Sequence, residues 1–291
     1  MIRAVITDMD NTLYSWVDYI VPCLEAMVAS LCRTTGFPRI KVVQALKEVY
    51  ERYESNEYPF AIQESNLYEA FHYDFESFDN LVITPAREAF TAARKKYLKP
   101  YRGVLETLAA LQRSGIKVVA LTDAPRNPAE RRVKMMKLDE HLTAVYTLPA
   151  FSFPDSGVSK EIRKREQAGG LKLKCPVHDL PRDFEKPDPR GYLQICKELG
   201  VDPKETAFIG DSQRKDIPLA RKVGALDCWA EYGTYISAEY AERLSVISAP
   251  SATRRHLQQA PAEHEPPPTV RLSNFDQILP LVQSSAKSAV A

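Results

Sequence analysis

The 291-residue sequence contains no run approaching the roughly 18 apolar residues that a helix needs to cross a bilayer, so a membrane partner is not expected. Excess charge is missing as well: 39 Lys and Arg stand against 38 Asp and Glu, a formal net charge of +1. A balanced chain has no field with which to draw nucleic acid or an anionic surface, and any anion it binds must be held by local groups. Cysteines are few. The five (Cys23, Cys32, Cys175, Cys196, Cys228) are odd in number and widely spaced, unlike the paired framework of a small secreted domain, and point to a reducing cytoplasm. No basic leader precedes an apolar stretch at the start, where MIRAVITD runs straight into a β-branched segment, so no signal peptide is expected. No internal repeat is present, and nothing in the sequence bears on oligomeric state.

A hydrophobic content of 44% in a chain of this length fills one large core or two modest ones, which suggests a catalytic domain with a smaller attachment. Ile2 to Thr7 is a short apolar run that stops in a polar loop, as a buried strand does. From about residue 17 the period becomes helical, with Ile20, Leu24, Met27, Val28 and Leu31, then Val42, Leu46, Val49, Tyr50 and Tyr53; a mainly helical block is expected over 17–98. Its aromatics (Tyr50, Tyr53, Tyr68, Phe71, Tyr73, Phe75, Phe78) read as packing residues, with one or two open to line a pocket. Helix and strand then alternate. The helix of Val104, Leu108 and Leu111 ends near Gly115 and a strand follows to Leu121, stopping at Thr122 and Asp123; the helix of Tyr192, Ile195, Cys196 and Leu199 ends at Gly200, and the strand Thr206 to Ile209 stops at Gly210 and Asp211. This alternation predicts an α/β fold, a parallel sheet flanked by helices, with ligands beyond the carboxyl ends of the strands. Stretches 149–185 and 248–269 break the pattern and read as an insertion and a long loop; residues 270–282 read as a last strand and helix, and 284–291 as a frayed tail.

Four separated segments need one explanation: Asp8-Met9-Asp10-Asn11-Thr12-Leu13, Leu121-Thr122-Asp123, Lys186-Pro187-Asp188-Pro189, and Gly210-Asp211-Ser212 followed by Asp216. Each alone has a bland reading. An Asp-x-Asp pair is often a turn or helix cap, Lys-Pro-Asp-Pro is a good helix entry, and Gly-Asp-Ser is a turn. In this order, at predicted strand ends, they resemble the four motifs of the haloacid dehalogenase superfamily; the resemblance covers about residues 1–16 and 99–245, within a catalytic core expected over 1–16 and 99–283. The resemblance implies a Rossmann-like core, with 17–98 as a helical cap of the type seen in phosphoglycolate phosphatase-like and pyrimidine-nucleotidase-like enzymes.

The residue types suit the chemistry that this family performs. A carboxylate such as Asp8 can attack phosphorus and split one hard displacement into two easier ones, and a second carboxyl at Asp10 can protonate the leaving oxygen and later take a proton from water. Thr12 is expected to brace the loop. Asp8, Asp10, Asp211 and a dianionic phosphate repel one another unless a cation intervenes, and Mg2+ prefers such hard oxygen ligands. By resemblance the metal ligands are the Asp8 side chain, the Asp10 backbone carbonyl and Asp211, with Asp216 nearby; Thr122 hydrogen-bonds a phosphate oxygen, Lys186 neutralises charge, and Asn11 joins these two in contacting the substrate. The implied activity is a magnesium-dependent phosphatase acting on a small phosphorylated metabolite. A phosphomutase, a dehalogenase and a degenerate binding module remain as alternatives, although a dehalogenase has no use for Asp10 and a degenerate domain would have lost a motif.

Three features stand apart. Asp123 places another carboxylate near the phosphate and is expected to point away or pair with a base such as Arg126. Cys175 and His178 have a zinc-like spacing but are only two ligands of the four that a tetrahedral site needs. The basic run at 160–165 alternates with Glu161 and Glu166 and reads as a solvated helix face.

Overall fold

The computed structural model describes residues 1–71, 74–152, 171–249 and 266–287. Seven parallel strands form one sheet in the order β4-β3-β2-β1-β5-β6-β7: β1 (Ala4–Thr7), β2 (Lys117–Pro125), β3 (Ala144–Leu148), β4 (Val177–Asp179), β5 (Thr206–Gly210), β6 (Leu226–Ala230) and β7 (Val270–Leu272). Strand β1 is the centre because AVIT is apolar on both faces, and all four of its residues are buried, as a strand covered by helices on both sides requires. The chain leaves β1 for β2 on one side and later enters β5 on the other, so a topological switch point lies at the carboxyl end of β1, where a cleft must open.

Helices cover the faces. Helix α5 (Val104–Arg113) and helix α6 (Arg126–Met135) pack on β2, α7 (Pro189–Leu199) packs on α8 (Asp216–Val223), and α8 packs in turn on β5 and β6. The start of α7 shows how the sequence sets a boundary: Asp188 caps it by accepting from the Arg190 amide at 2.9 Å, Pro189 occupies the first turn, and Gly200 closes it in the left-handed region with φ 66°.

Between β1 and β2 the elements are helical. Helices α1 (Trp16–Thr35), α2 (Arg39–Tyr53), a short α3 (Phe75–Phe78) and α4 (Thr84–Tyr97) form a block in which α1 packs on α4. Among the aromatics expected to pack there, Tyr50 and Phe78 are buried, Tyr53, Tyr68, Phe71 and Phe75 are partly buried against them, and Tyr73 lies outside the described residues. The block is not attached through its ends alone. Helix α9 (Ala238–Ile247), from the segment between β6 and β7, packs on α1 and α2; Arg243 pairs with Glu25, Lys47 donates to the carbonyls of Ser245 and Val246 at 3.1 Å, and the buried side chains of Asn56 and Ser248 hydrogen-bond each other.

The structure departs from expectation in three places. Stretch 149–185 carries the edge strand β4, which three residues of ordinary composition do not advertise. Strand β2 does not stop at Thr122 but runs to Pro125, with its register against β3 shifting between Leu121 and Pro125. Helix α10 (Ile278–Lys287) extends into the stretch expected to fray. Residues 153–170, with the basic run at 160–165, and residues 250–265 lie outside the described residues.

Candidate active site

The cleft at the switch point is a cavity of about 130 Å3. Its lining brings together Asp8, Asp10, Asn11, Thr122, Lys186, Asp211 and Asp216 from four separated segments. Asp8 sits one residue past β1 with its amide still in the ladder, donating to the Ile209 carbonyl at 2.8 Å, so the sheet fixes its backbone. The loop then turns sharply: Asn11 has φ 56°, a left-handed conformation that Asn tolerates better than most residues. Tyr232 donates to the Thr12 carbonyl at 2.6 Å. Gly233 lies so close beneath the turn that a Cβ there would stand 1.6 Å from the Asn11 carbonyl oxygen. Thr12 is buried, with its hydroxyl 3.5 Å from an Asp8 oxygen, a long contact. The Asn11 side chain differs from expectation, because its Oδ1 accepts from the Trp16 amide at 3.0 Å and is thereby tied to the start of α1.

Lys186 is buried and donates to Asp8 at 2.6 Å and to Asp216 at 2.8 Å. Burial alone would lower its ammonium, but Asp216 and Asp8 outweigh burial and keep it well above its ordinary value. Asp216 is committed on both oxygens, to Lys186 and to the Ser212 amide at 2.9 Å. It packs tightly under Gly210, where a Cβ would stand 2.3 Å from the carboxyl group. The Thr122 hydroxyl accepts from the Ala124 amide at 3.1 Å, which leaves its own hydrogen to donate into the cavity.

Asp8, Asp211 and Asp216 are all buried and place carboxylate oxygens within 4.8 Å of one another. Three carboxylates facing one lysine leave a surplus of negative charge in a poorly solvated site. The Asp8 carboxyl is accordingly pushed up to about 7, by burial first, against the pull of Lys186 and with Asp216 and Asp10 adding to the rise. A set of hard, buried, surplus-negative oxygens suits a divalent cation, whose charge would reverse that rise.

Asp10 is held differently. Tyr14 donates to one of its oxygens and the guanidinium of Arg132, from α6, lies 3.6 Å from the other. Arg132 is 1% exposed and pairs at 2.7 Å with both oxygens of Glu57, which also accepts from Tyr19 at 2.6 Å and Trp16 at 3.2 Å. Burial would raise the Glu57 carboxyl, but Arg132 and these donors outweigh it and hold it below its usual value. Asp10 goes the other way, raised by burial despite Arg132, with Glu57 adding to the rise.

Sequence reasoning missed the Tyr14, Glu57 and Arg132 group. Tyr14 lies four residues from Asp10, but Glu57 and Arg132 are 75 positions apart and each stands in a segment with no motif. Asp123 pairs with a base, as expected, but the base is Lys215 at 2.9 Å and not Arg126, which is taken by Glu130 and Asp179; Asp123 also accepts from the Lys186 amide at 3.0 Å. Asp123 thus orients the backbone of Lys186, and Lys215 cancels its charge while also holding Glu185 at 2.7 Å. His178 stacks on Tyr146 with ring centroids 4.7 Å apart, and Cys175 is buried.

A family model described as haloacid dehalogenase-like hydrolase matches residues 2–224. The chain is 24% identical to a glyceraldehyde 3-phosphate phosphatase of Methanopyrus kandleri, over 82% of this chain and 88% of that one. It is 29% identical to an N-acetylmuramic acid 6-phosphate phosphatase of Pseudomonas aeruginosa over 56% and 59%. Among solved structures, a 2-haloacid dehalogenase from Pseudomonas syringae pv. tomato superposes with a TM-score of 0.58 at 18% identity, covering 98% of this chain and 99% of that one; the likeness is one of fold.

Proposed function

The chain belongs to the haloacid dehalogenase-like hydrolases, and from that premise we propose that it is a magnesium-dependent phosphatase that hydrolyses small phosphate monoesters through an aspartyl-phosphate on Asp8. The observation that carries this reading is the second carboxylate. Asp10 lines the same cavity as Asp8 and is oriented there by Tyr14 and Arg132. Expulsion of an alkoxide needs a proton donor at that place, and displacement of a halide does not. The relatives named as phosphatases support the substrate class.

In the first step an Asp8 oxygen attacks phosphorus, the bond from phosphorus to the leaving oxygen breaks, and the Asp10 carboxyl gives its proton to that oxygen. In the second, Asp10, now a carboxylate, takes a proton from water as the water oxygen attacks phosphorus and the bond to Asp8 breaks, which restores both residues and frees phosphate. Lys186 carries positive charge beside Asp8, and the Thr122 hydroxyl donates to an oxygen of the group in transfer. Asp8, Asp211 and the Asp10 backbone carbonyl are the groups that would hold magnesium, with Asp216 beside them, and the metal when bound would neutralise the phosphate dianion and orient it for attack. Asp123 and Lys215 set the backbone of Lys186 and touch no reacting atom.

Residues 17–98 act as the cap over this cleft and choose the ester without doing the chemistry, since all four motifs lie outside them. A screen of small phosphate esters with magnesium, reading free phosphate, tests the proposal. Turnover is expected to stop on exhaustive chelation, to return with magnesium, and to return poorly with calcium, whose looser coordination misplaces the attack. Full turnover without a divalent cation refutes the metal assignment, and isomerised ester in place of free phosphate makes the protein a mutase.

A further inference from the structure

A second cavity, of about 160 Å3, lies between the helical block and α6. Its wall is unusual in charge. Among the described residues, Arg87 and Arg94 of α4 and Arg131 and Arg132 of α6 all line it, against two acidic residues, Glu57 and Asp79. Glu57 is already taken by Arg132. Arg132, 1% exposed, has a buried Nε with no hydrogen-bond partner, and so does Arg94. Burial, and after it the charge of Arg131, hold the Arg94 guanidinium below its ordinary value. Buried donors without acceptors are costly, and guanidinium groups pair especially well with planar oxyanions.

The cavity adjoins the catalytic one. Asn56 and Glu57 line both, and Arg132 lines the second while pairing with Asp10 in the first. Arg132 thus stands between Asp10 and the second cavity. The remaining wall includes Tyr50, Tyr58, Phe60, Phe75 and Phe90, and a cavity of about 150 Å3 accepts a body of benzene size.

We infer that this second cavity receives the leaving group of the ester, and that the substrate carries a second oxyanion, a carboxylate or a further phosphate, bound by Arg94 and Arg131. The inference rests on the phosphatase reading for its catalytic consequence, and on the cavity alone for its binding consequence. Part of the substrate choice is then a charge choice: esters with an anionic far end are taken and neutral ones of the same shape are not.

Matched aryl esters test this. 4-Carboxyphenyl phosphate and 4-carbamoylphenyl phosphate share a shape and differ in charge, and 1,4-phenylene bisphosphate distinguishes a phosphate reader from a carboxylate reader. The wild-type enzyme with magnesium should favour at least one of the dianionic-tailed or carboxylate-tailed esters over the carbamoyl ester by about 10- to 100-fold in kcat/KM, the range for a charged hydrogen bond. Arg131→Gln and Arg94→Gln should bring that ratio within about twofold of one, while Arg131→Lys, which keeps the charge, should keep most of it. Binding of the same esters to Asp8→Asn, measured by calorimetry, should show the same order without turnover. A wild-type ratio near one, or a ratio that survives both Gln variants, overturns the inference while phosphate release still upholds the phosphatase. Charge-selective binding to Asp8→Asn that the Gln changes abolish, with no phosphate released by the wild-type enzyme from any ester, upholds the anion site and overturns the phosphatase.

Discussion

Arg132→Met tests the ionic group behind Asp10. Arg132 is 1% exposed and Glu57 is mostly covered, with 14% of its side chain accessible, so solvent screens their pair little. Removing the guanidinium strands a buried Glu57 carboxylate and takes from Asp10 the cation that lies 3.6 Å from it. Breaking a buried pair from one side costs about 3–5 kcal/mol. With an unfolding entropy of about 0.6 kcal/mol per kelvin for a chain of this length, that is a fall of roughly 5–8 °C in Tm. Glu57→Gln removes the stranded charge while keeping shape; its carbonyl oxygen can still accept from Trp16 and its NH2 can donate to the Tyr19 hydroxyl oxygen, so the double variant should lose less than the sum of the single losses by about 1–2 kcal/mol. Urea unfolding of the four proteins at neutral pH measures the cycle. Losses under about 0.5 kcal/mol for Arg132→Met, or additive losses in the double variant, would refute the view that this group is a coupled buried network.

Two further changes probe the scaffold. Gly210→Ala forces a methyl group to within 2.3 Å of the Asp216 carboxyl, so Asp216 must move and break its contacts to Lys186 and Ser212; we expect phosphate release to fall by at least about tenfold while the far-ultraviolet spectrum is kept, and wild-type turnover would contradict the packing. Asp139 is buried against Lys134 at 2.9 Å and the Lys174 amide at 3.0 Å; burial works against its carboxylate, but these partners win and hold its pKa below the ordinary range. Its stabilisation is therefore present above the unfolded pKa of about 4 and is lost as pH falls through the lower folded value, so the stability gap between wild type and Asp139→Asn should be constant from pH 7 to about 5 and shrink below about 4. A gap that widens in acid would reverse the sign.

Much of the core was legible because its determinants are local. The run AVIT predicts a buried strand, and the polar residues after it mark the carboxyl end where a parallel sheet places its ligands. Asp188 and Pro189 announce α7, and Gly200 its end. What stayed hidden is what distance in sequence hides. Strand β4 is only three residues long and is defined by its pairing with β3. The choice of Lys215 over Arg126 as the partner of Asp123 depends on where the turn before α8 sits relative to β2. Glu57 and Arg132 meet only after the helical block has packed over the sheet, and no period or motif in either segment signals the meeting.

The most direct test of the central claim asks which carboxylate takes the phosphoryl group. Asp10→Asn keeps the nucleophile but not the proton transfer, a loss of about 10²–10⁴-fold in rate for poor leaving groups; an activated aryl phosphate needs little protonation, so the aspartyl-phosphate should form and persist. On mixing with such an ester and magnesium, Asp10→Asn should give a burst of phenolate and a phosphate mass on the peptide holding Asp8, and Asp8→Asn should give neither. Equal bursts from the two variants, or a label on Asp10, would contradict the account.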